Sequence, residues 1–172
     1  LTVVAFSGDG DSYADGMEHL VHAAKRNTDI KLFLHNNHVF GLTTGQVTPT
    51  STKGYRGKST PLGSVEEPIN PHLVMLASGA TFVARSYAGD ITGTTKLMKQ
   101  AILHKGFAYL DIIQPCISFN DNREYFKERI YWIDSNLPKN DFKWAMEKVQ
   151  EEEKIPLGVF YEVDRETFEE QL

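Results

Sequence analysis

The chain has 172 residues, 41% apolar and 24% charged, with 18 Lys+Arg against 23 Asp+Glu for a net charge of -5. That is the size of one domain, or of one and a small appendage, with ordinary globular composition. It excludes a nucleic-acid binder held by a general positive field, and no apolar run approaches the ~20 residues of a membrane span.

A single cysteine, Cys116, excludes an internal disulfide framework or a cysteine cluster built from this chain alone, and suits a reducing, cytoplasmic setting. Residues 1–6 are apolar and β-branched and read as a buried strand. With Leu1 already inside it and no leader ahead, the expectation is a fragment that begins within a larger polypeptide. A Gly-Asp-Gly-Asp turn follows, then Ala14, Met17, Leu20, Val21 and Ala24 recur at helical spacing, with Lys25 and Arg26 in the last turn and Asn27 as the stop. Residues 30–35 make a second strand, and the crossover length suits a parallel pair.

Residues 36–71 are rich in Gly, Thr, Ser and Pro and read as one long functional loop. Beyond it the pattern predicts a short helix over 71–79, a strand over 80–85, a helix over 95–105 stopped by Gly106, and a very apolar strand over 107–113. Two helical stretches, 122–130 and 141–153, precede a last strand at 158–163. This order predicts an α/β fold: an open, mostly parallel sheet covered by helices on both faces, with a small C-terminal extension. Such sheets bind ligands at the carboxyl ends of their strands.

Two loops leave adjacent strand ends in this reading: Gly8-Asp9-Gly10-Asp11, and the segment from Asn36-Asn37 to Gln46. Gly8 and Gly10 let the backbone approach a ligand closely, and a turn entering a helix favours phosphate. Asp9 and Asn37 supply hard oxygens. Few hard ligands suit Mg²⁺, which completes its shell with substrate phosphate and water. The expectation is a Mg²⁺-diphosphate site. A dinucleotide fingerprint fails because Tyr13 stands where the third glycine belongs. An EF-hand loop starting at Asp9 fails at Tyr13, Ala14 and Leu20.

Twenty-five residues separate Gly8-Asp9-Gly10 from Asn36-Asn37, which resembles the thiamine diphosphate fingerprint. His19-x-x-His22-Ala23-Ala24-Lys25-Arg26-Asn27, Val39-Phe40-Gly41-Leu42-Thr43-x-Gly45-Gln46, Pro49-Thr50-Ser51 and Gln114-Pro115-Cys116 extend the likeness to residue 134. Together they resemble the β subunit of 2-oxoacid:ferredoxin oxidoreductases. The resemblance implies Mg²⁺ ligation by Asp9, Asn37 and the Val39 carbonyl, and a turn of Gly8, Gly10 and Asp11 around the diphosphate. It implies that Gly41, Leu42 and Thr43 run past the cofactor, with Leu42 toward the substrate. It further implies a cofactor domain over 1–117, a β-subunit extension over 118–172, and oxidative decarboxylation of a 2-oxoacid to acyl-CoA and CO₂ with ferredoxin as acceptor. The partners it implies are an α (or α/γ) subunit, ferredoxin, coenzyme A and the 2-oxoacid. The activating carboxylate is expected from the partner subunit, and the iron–sulfur cluster outside this chain. The Gly-Leu-Thr-x-Gly-Gln form is more similar to the broad or 2-oxoglutarate type than to the pyruvate-specific one.

Two alternatives stay open at this point: a non-redox thiamine diphosphate decarboxylase or carboligase, and a non-catalytic assembly domain. Lys53, Arg56 and Lys58 are either a steering patch for an anion or a solvated loop. His19, His22, His35 and His38 lack the companions of a zinc site and read as packing or surface residues. Cys116 reads as a small buried residue. Tyr125, Phe126, Tyr131 and Trp132 read as packing aromatics, and Glu151–Glu153 as a solvated helix face.

Overall fold

The computed structural model describes all residues, Leu1–Leu172. Apolar, β-branched runs form β1 (Val3–Gly8), β2 (Ile30–Asn36), β5 (Phe82–Tyr87) and β6 (Ala108–Ile113). The loop after β2 is not continuous: it contains a two-residue hairpin, β3 (Val39–Phe40) with β4 (Gln46–Val47), paired antiparallel. The C-terminal part supplies β7 (Ile130–Trp132) and β8 (Ile155–Glu162).

The main sheet has the order β1-β2-β6-β5-β8-β7. Its first four strands are parallel. β8 runs antiparallel to β5, and β7 parallel to β8. The extension therefore adds two strands to the same sheet. The sequence pattern does not predict β7, and β8 starts three residues before the expected 158.

Helices cover both faces. α1 (Met17–Arg26), α2 (Pro71–Ala77) and α5 (Phe142–Lys148) bury Leu20, Met75, Leu76 and Ala145 against Leu34, Val83, Tyr109 and Phe160. On the other face α3 (Ile91–Leu103) packs Leu97 and Ala101 on Phe82, Leu110 and Ile112. α4 (Arg123–Arg129) sets Phe126 against Tyr87, Ile113 and Leu157. Asn27 ends α1 at φ +54, as its stop role requires. α5 ends before the acidic run: Glu151 lies beyond the helix and pairs with Lys148 and the Tyr131 hydroxyl instead of lining a helix face. No helix is long and apolar enough to cross a membrane.

Candidate cofactor site

β1 and β2 pair in register, Gly8 with His35. Continued by one residue, that register sets Asp9 level with Asn36, at the carboxyl ends of both strands. The chain then turns at once into helix: Asp11–Asp15 form a π-helical turn ahead of α1. Gly10 is helical (φ -62), so its glycine is required by packing and not by an unusual φ. A Cβ there would stand 2.3 Å from Cε1 of Phe40, which closes over the turn from β3.

Asp9 is buried. Its Oδ1 accepts the Asn37 N–H (3.3 Å), and its Oδ2 accepts the hydroxyls of Thr48 (2.6 Å) and Thr50 (3.0 Å). Asn37 Oδ1 accepts the Val39 N–H (3.0 Å), which bends the chain toward β3. A carboxylate or amide oxygen that accepts one hydrogen bond keeps a second lone pair. Asp9 Oδ1 and Asn37 Oδ1 each retain that capacity, and both are hard donors of the type Mg²⁺ takes. A Cβ on Gly41 would come to 3.1 Å from Asn37 Nδ2, so this glycine gives the Asn37 amide its space.

Gly8, Asp11, Gly41, Leu42 and Thr43 lie around this centre in two different settings. Gly8 and Asp11 are together, since a Cβ on Gly8 would touch Asp11 Oδ2. Leu42 stands fully exposed on the β3–β4 turn. Thr43 Oγ1 bonds Gln46 Oε1, and the Gly45 N–H reaches the Phe40 carbonyl, which closes that turn.

His38 adopts φ +63. The Thr50 carbonyl can only accept, so His38 Nδ1 donates to it (2.7 Å), and its ring lies against Phe126. Burial holds its pKa below the ordinary value. His38 is thus a brace between two loops. Cys116 is half-buried, with Sγ 3.7 Å from where a Gly41 Cβ would stand. Lys53 is paired with Glu67 on the exposed part of the loop.

Several residues here carry no chemical signal in the sequence. Thr48, Thr50 and Ser51 are buried; the Thr48 N–H donates to Ser51 Oγ (2.8 Å), and Ser51 Oγ donates to the His38 carbonyl (2.5 Å). Asn36 spans inward, with Thr50 Oγ1 3.1 Å from its Oδ1 and its Nδ2 3.5 Å from Asp111 Oδ2. Asp111 belongs to a buried polar group on the α2 face. Arg85 can only donate, so its 3.0 Å contact makes His72 Nδ1 the acceptor. The proton of a neutral His72 then sits on Nε2, 3.6 Å from Asp111 Oδ2. Burial pushes Asp111 up to about 7, against the pull of Arg85. Burial also drives His72 well below its ordinary value and raises the hydrogen-bonded pair Tyr13 and Tyr109. One carboxylate inside an otherwise apolar buried strand was the signal for Asp111.

A separate cavity of about 400 Å³ lies between α3 and the β7–β8 side, lined by Asp90, Lys96, Trp132 and Lys139 among others. The convergence of hard oxygens at Asp9, and not cavity size, locates the candidate site.

An open α/β sheet with this carboxylate–amide pair at adjacent strand ends defines a cofactor-holding domain of the thiamine pyrophosphate type. Residues 1–112 match the family model of the thiamine pyrophosphate enzyme C-terminal TPP binding domain. Residues 116–172 match the model for the C terminal of the pyruvate ferredoxin oxidoreductase beta chain. The chain belongs to the thiamine pyrophosphate enzymes, among the β subunits of the 2-oxoacid:ferredoxin oxidoreductases. It is 40% identical to the 2-oxoacid:ferredoxin oxidoreductase subunit beta of a Sulfolobus species, over 94% of this chain and 58% of that one. It is 44% identical to the 2-oxoglutarate oxidoreductase subunit KorB of Mycobacterium tuberculosis, over 70% of this chain and 32% of that one. Among solved structures it resembles the 2-oxoglutarate:ferredoxin oxidoreductase from Magnetococcus marinus with 2-oxoglutarate, coenzyme A and succinyl-CoA bound. That match has a TM-score of 0.91 at 34% identity, over 95% of this chain and 57% of the other. The chain thus spans under two thirds of the length of these relatives.

Proposed function

We propose that this chain is the thiamine diphosphate- and Mg²⁺-holding part of the β subunit of a cytoplasmic 2-oxoacid:ferredoxin oxidoreductase. The complete complex would convert a 2-oxoacid to acyl-CoA and CO₂ and reduce ferredoxin. The observation that carries this reading is the Asp9–Asn37 pair, a buried carboxylate locked against an amide at adjacent parallel strand ends. Asp9, Asn37 and the Val39 carbonyl would hold Mg²⁺. Gly8, Gly10 and Asp11 would surround the diphosphate at the entry to the helix, where backbone N–H groups favour anions. Gly41, Leu42 and Thr43 would border the reacting end, with exposed Leu42 on the substrate side. When bound, thiamine diphosphate supplies the carbanion chemistry that cleaves the carboxylate from the 2-oxo carbon. This chain's part is binding and orientation. Its one cysteine does not make a four-thiolate site, so the electron-accepting cluster is assigned outside it. The activating carboxylate is assigned to an α (or α/γ) subunit, with ferredoxin, coenzyme A and the 2-oxoacid as the remaining partners.

The test is calorimetry of thiamine diphosphate with Mg²⁺ on the assembled complex. Asp9→Ala and Asn37→Ala are each expected to weaken binding at least 100-fold (about 2.7 kcal/mol or more). Unchanged binding in both removes the site.

A further inference from the structure

We propose that Thr48 and Thr50 are positioning residues that fix which oxygen of Asp9 faces the cation; this rests on the Mg²⁺ reading above. The two hydroxyls reach the same carboxylate oxygen, Oδ2, at 2.6 and 3.0 Å, while Oδ1 receives only the Asn37 N–H at 3.3 Å. Carboxylate oxygens have about two lone-pair directions each. Oδ2 is therefore filled, and Oδ1 keeps one direction free. A buried carboxylate without this clamp can rotate about χ2, a broad torsion, and exchange its oxygens. The clamp leaves Oδ1, the oxygen beside Asn37, as the one presented.

The threonines are themselves held. The Thr48 N–H and the Ser51 hydroxyl lock the Thr48–Ser51 turn to itself and to the His38 carbonyl. The Thr50 carbonyl accepts His38 Nδ1–H. The Thr50 hydroxyl has one proton and two acceptors in reach, Asp9 Oδ2 and Asn36 Oδ1. Thr48 is the shorter donor to Oδ2, so Thr50 can divide its proton between the two while Oδ2 stays satisfied. Asn36 is then the stop behind the clamp, backed by Asp111. Every one of these side chains except His38 is buried, so water does not replace a lost hydroxyl without rearrangement.

The experiment is a Mg²⁺ titration of thiamine diphosphate binding, followed by calorimetry on the assembled complex, with thermal unfolding alongside. Threonine and valine are nearly isosteric, so T48V/T50V removes both donors with little change in shape. The half-saturating Mg²⁺ concentration is expected to rise at least tenfold, and T48S/T50S, which keeps both hydroxyls, to stay within threefold of wild type. A merely structural role would lower the unfolding temperature without that split between valine and serine. If T48V/T50V does not assemble, T48S/T50V and T48V/T50S keep one hydroxyl each and are expected to fall between. Wild-type Mg²⁺ dependence in the valine variants overturns the clamp. The Asp9→Ala variant separates the two levels. If it binds normally, the site reading fails and the clamp with it; if it loses binding while the valine variants do not, only the clamp fails.

Discussion

At the amino ends of the parallel strands, Asn27 and Lys31 are buried with their polar atoms matched to partners. Asn27 Nδ2 donates to the Arg165 and Glu166 carbonyls, and its Oδ1 accepts the Thr81 hydroxyl and the Phe107 N–H. Lys31 Nζ donates to Asp29 and to the carbonyls of His104 (2.5 Å) and Gly106 (2.8 Å). At the carboxyl ends, Asp9 keeps an oxygen with room for a further partner, and behind it Asp111 Oδ1 and His72 Nε2 are buried with no hydrogen-bond partner. Buried polar groups are nearly always satisfied, so incompleteness carries information. One end of the sheet uses polar chemistry to close the fold. The other holds it in reserve, at a cost to stability, where a ligand is expected.

The sharpest way to break this contrast is Lys31→Met. Removing the ammonium strands Asp29 and two buried carbonyls, and losing one partner of a buried ion pair costs about 3–5 kcal/mol. Because Asp29 is partly exposed, the low end, about 3 kcal/mol, is expected in urea unfolding. Cofactor affinity in the folded complex should not change. A parallel loss of Mg²⁺-dependent binding would show that the two ends are one coupled network.

The second test is Asp111→Asn. Asp111 has a folded pKa of about 7, raised above its ordinary value by burial. Between the unfolded and folded values the native state holds a proton that the unfolded chain has released. Stability therefore falls as pH rises from about 4 to about 7, then levels off, with a slope on the order of 1 kcal/mol per pH unit. The groups facing Asp111 are His72 from α2, Arg85 from β5, Tyr109 from β6, Asn36 from β2, and Tyr13 and Asp9 from the turn after β1. Asparagine keeps the acceptor for Asn36 and removes the titration. Unfolding free energies measured at pH 5 and pH 8 should differ less in the variant than in wild type. An unaltered difference would mean that Asp111 is ionised throughout.

Much of this was legible in the sequence, and the exceptions share causes. β1, β2, β5 and β6 are runs of apolar and β-branched residues, and a buried strand needs nothing more. β3 and β4 are two residues each inside a Gly- and Thr-rich segment, too short for any alternation to register. β7 follows α4 directly, so its three residues read as the end of a helix. The glutamates at 151–153 favour helix by propensity, yet α5 stops once Ala145 and Val149 are buried. Asp9 and Asn37 were readable because their types and spacing state hard-oxygen chemistry. Thr48 and Thr50 were not, because threonine in such a segment looks like a turn former until Asp9, about forty residues earlier, is placed beside it. The same holds for Asp111, whose partner Asn36 is 75 residues away.

Gly10→Ala should act on the carboxyl end alone. Its new methyl would sit 2.3 Å from Phe40, so the ring and β3 must move. Overpacking of this kind costs roughly 1–3 kcal/mol, and the movement carries Val39 away from Asn37. Thiamine diphosphate affinity should fall more than stability does. Adding Phe40→Ala should recover part of the affinity by removing the clash. If Gly10→Ala/Phe40→Ala binds no better than Gly10→Ala, the glycine serves the ligand directly and not the ring.

The smallest effect is expected from Glu67→Gln. Lys53 and Glu67 form an exposed ion pair on the loop that also carries Thr48 and Thr50. Exposed pairs contribute about 0–1 kcal/mol, so unfolding should barely change. The more informative number is Mg²⁺ affinity. The inner residues Thr48, Thr50 and Ser51 are buried and tied to Asp9 and His38, whereas the outer part closes on itself through the Gly54 N–H to the Ser64 carbonyl and the Ser64 N–H to the Tyr55 carbonyl. With two separate sets of bonds, loosening the outer one should leave the inner one in place and Mg²⁺ half-saturation within about twofold (roughly 0.4 kcal/mol). A tenfold loss would place loop closure, and not the strand ends, in control of Asp9, and the division between a closed end and a receptive end would have to include the loop.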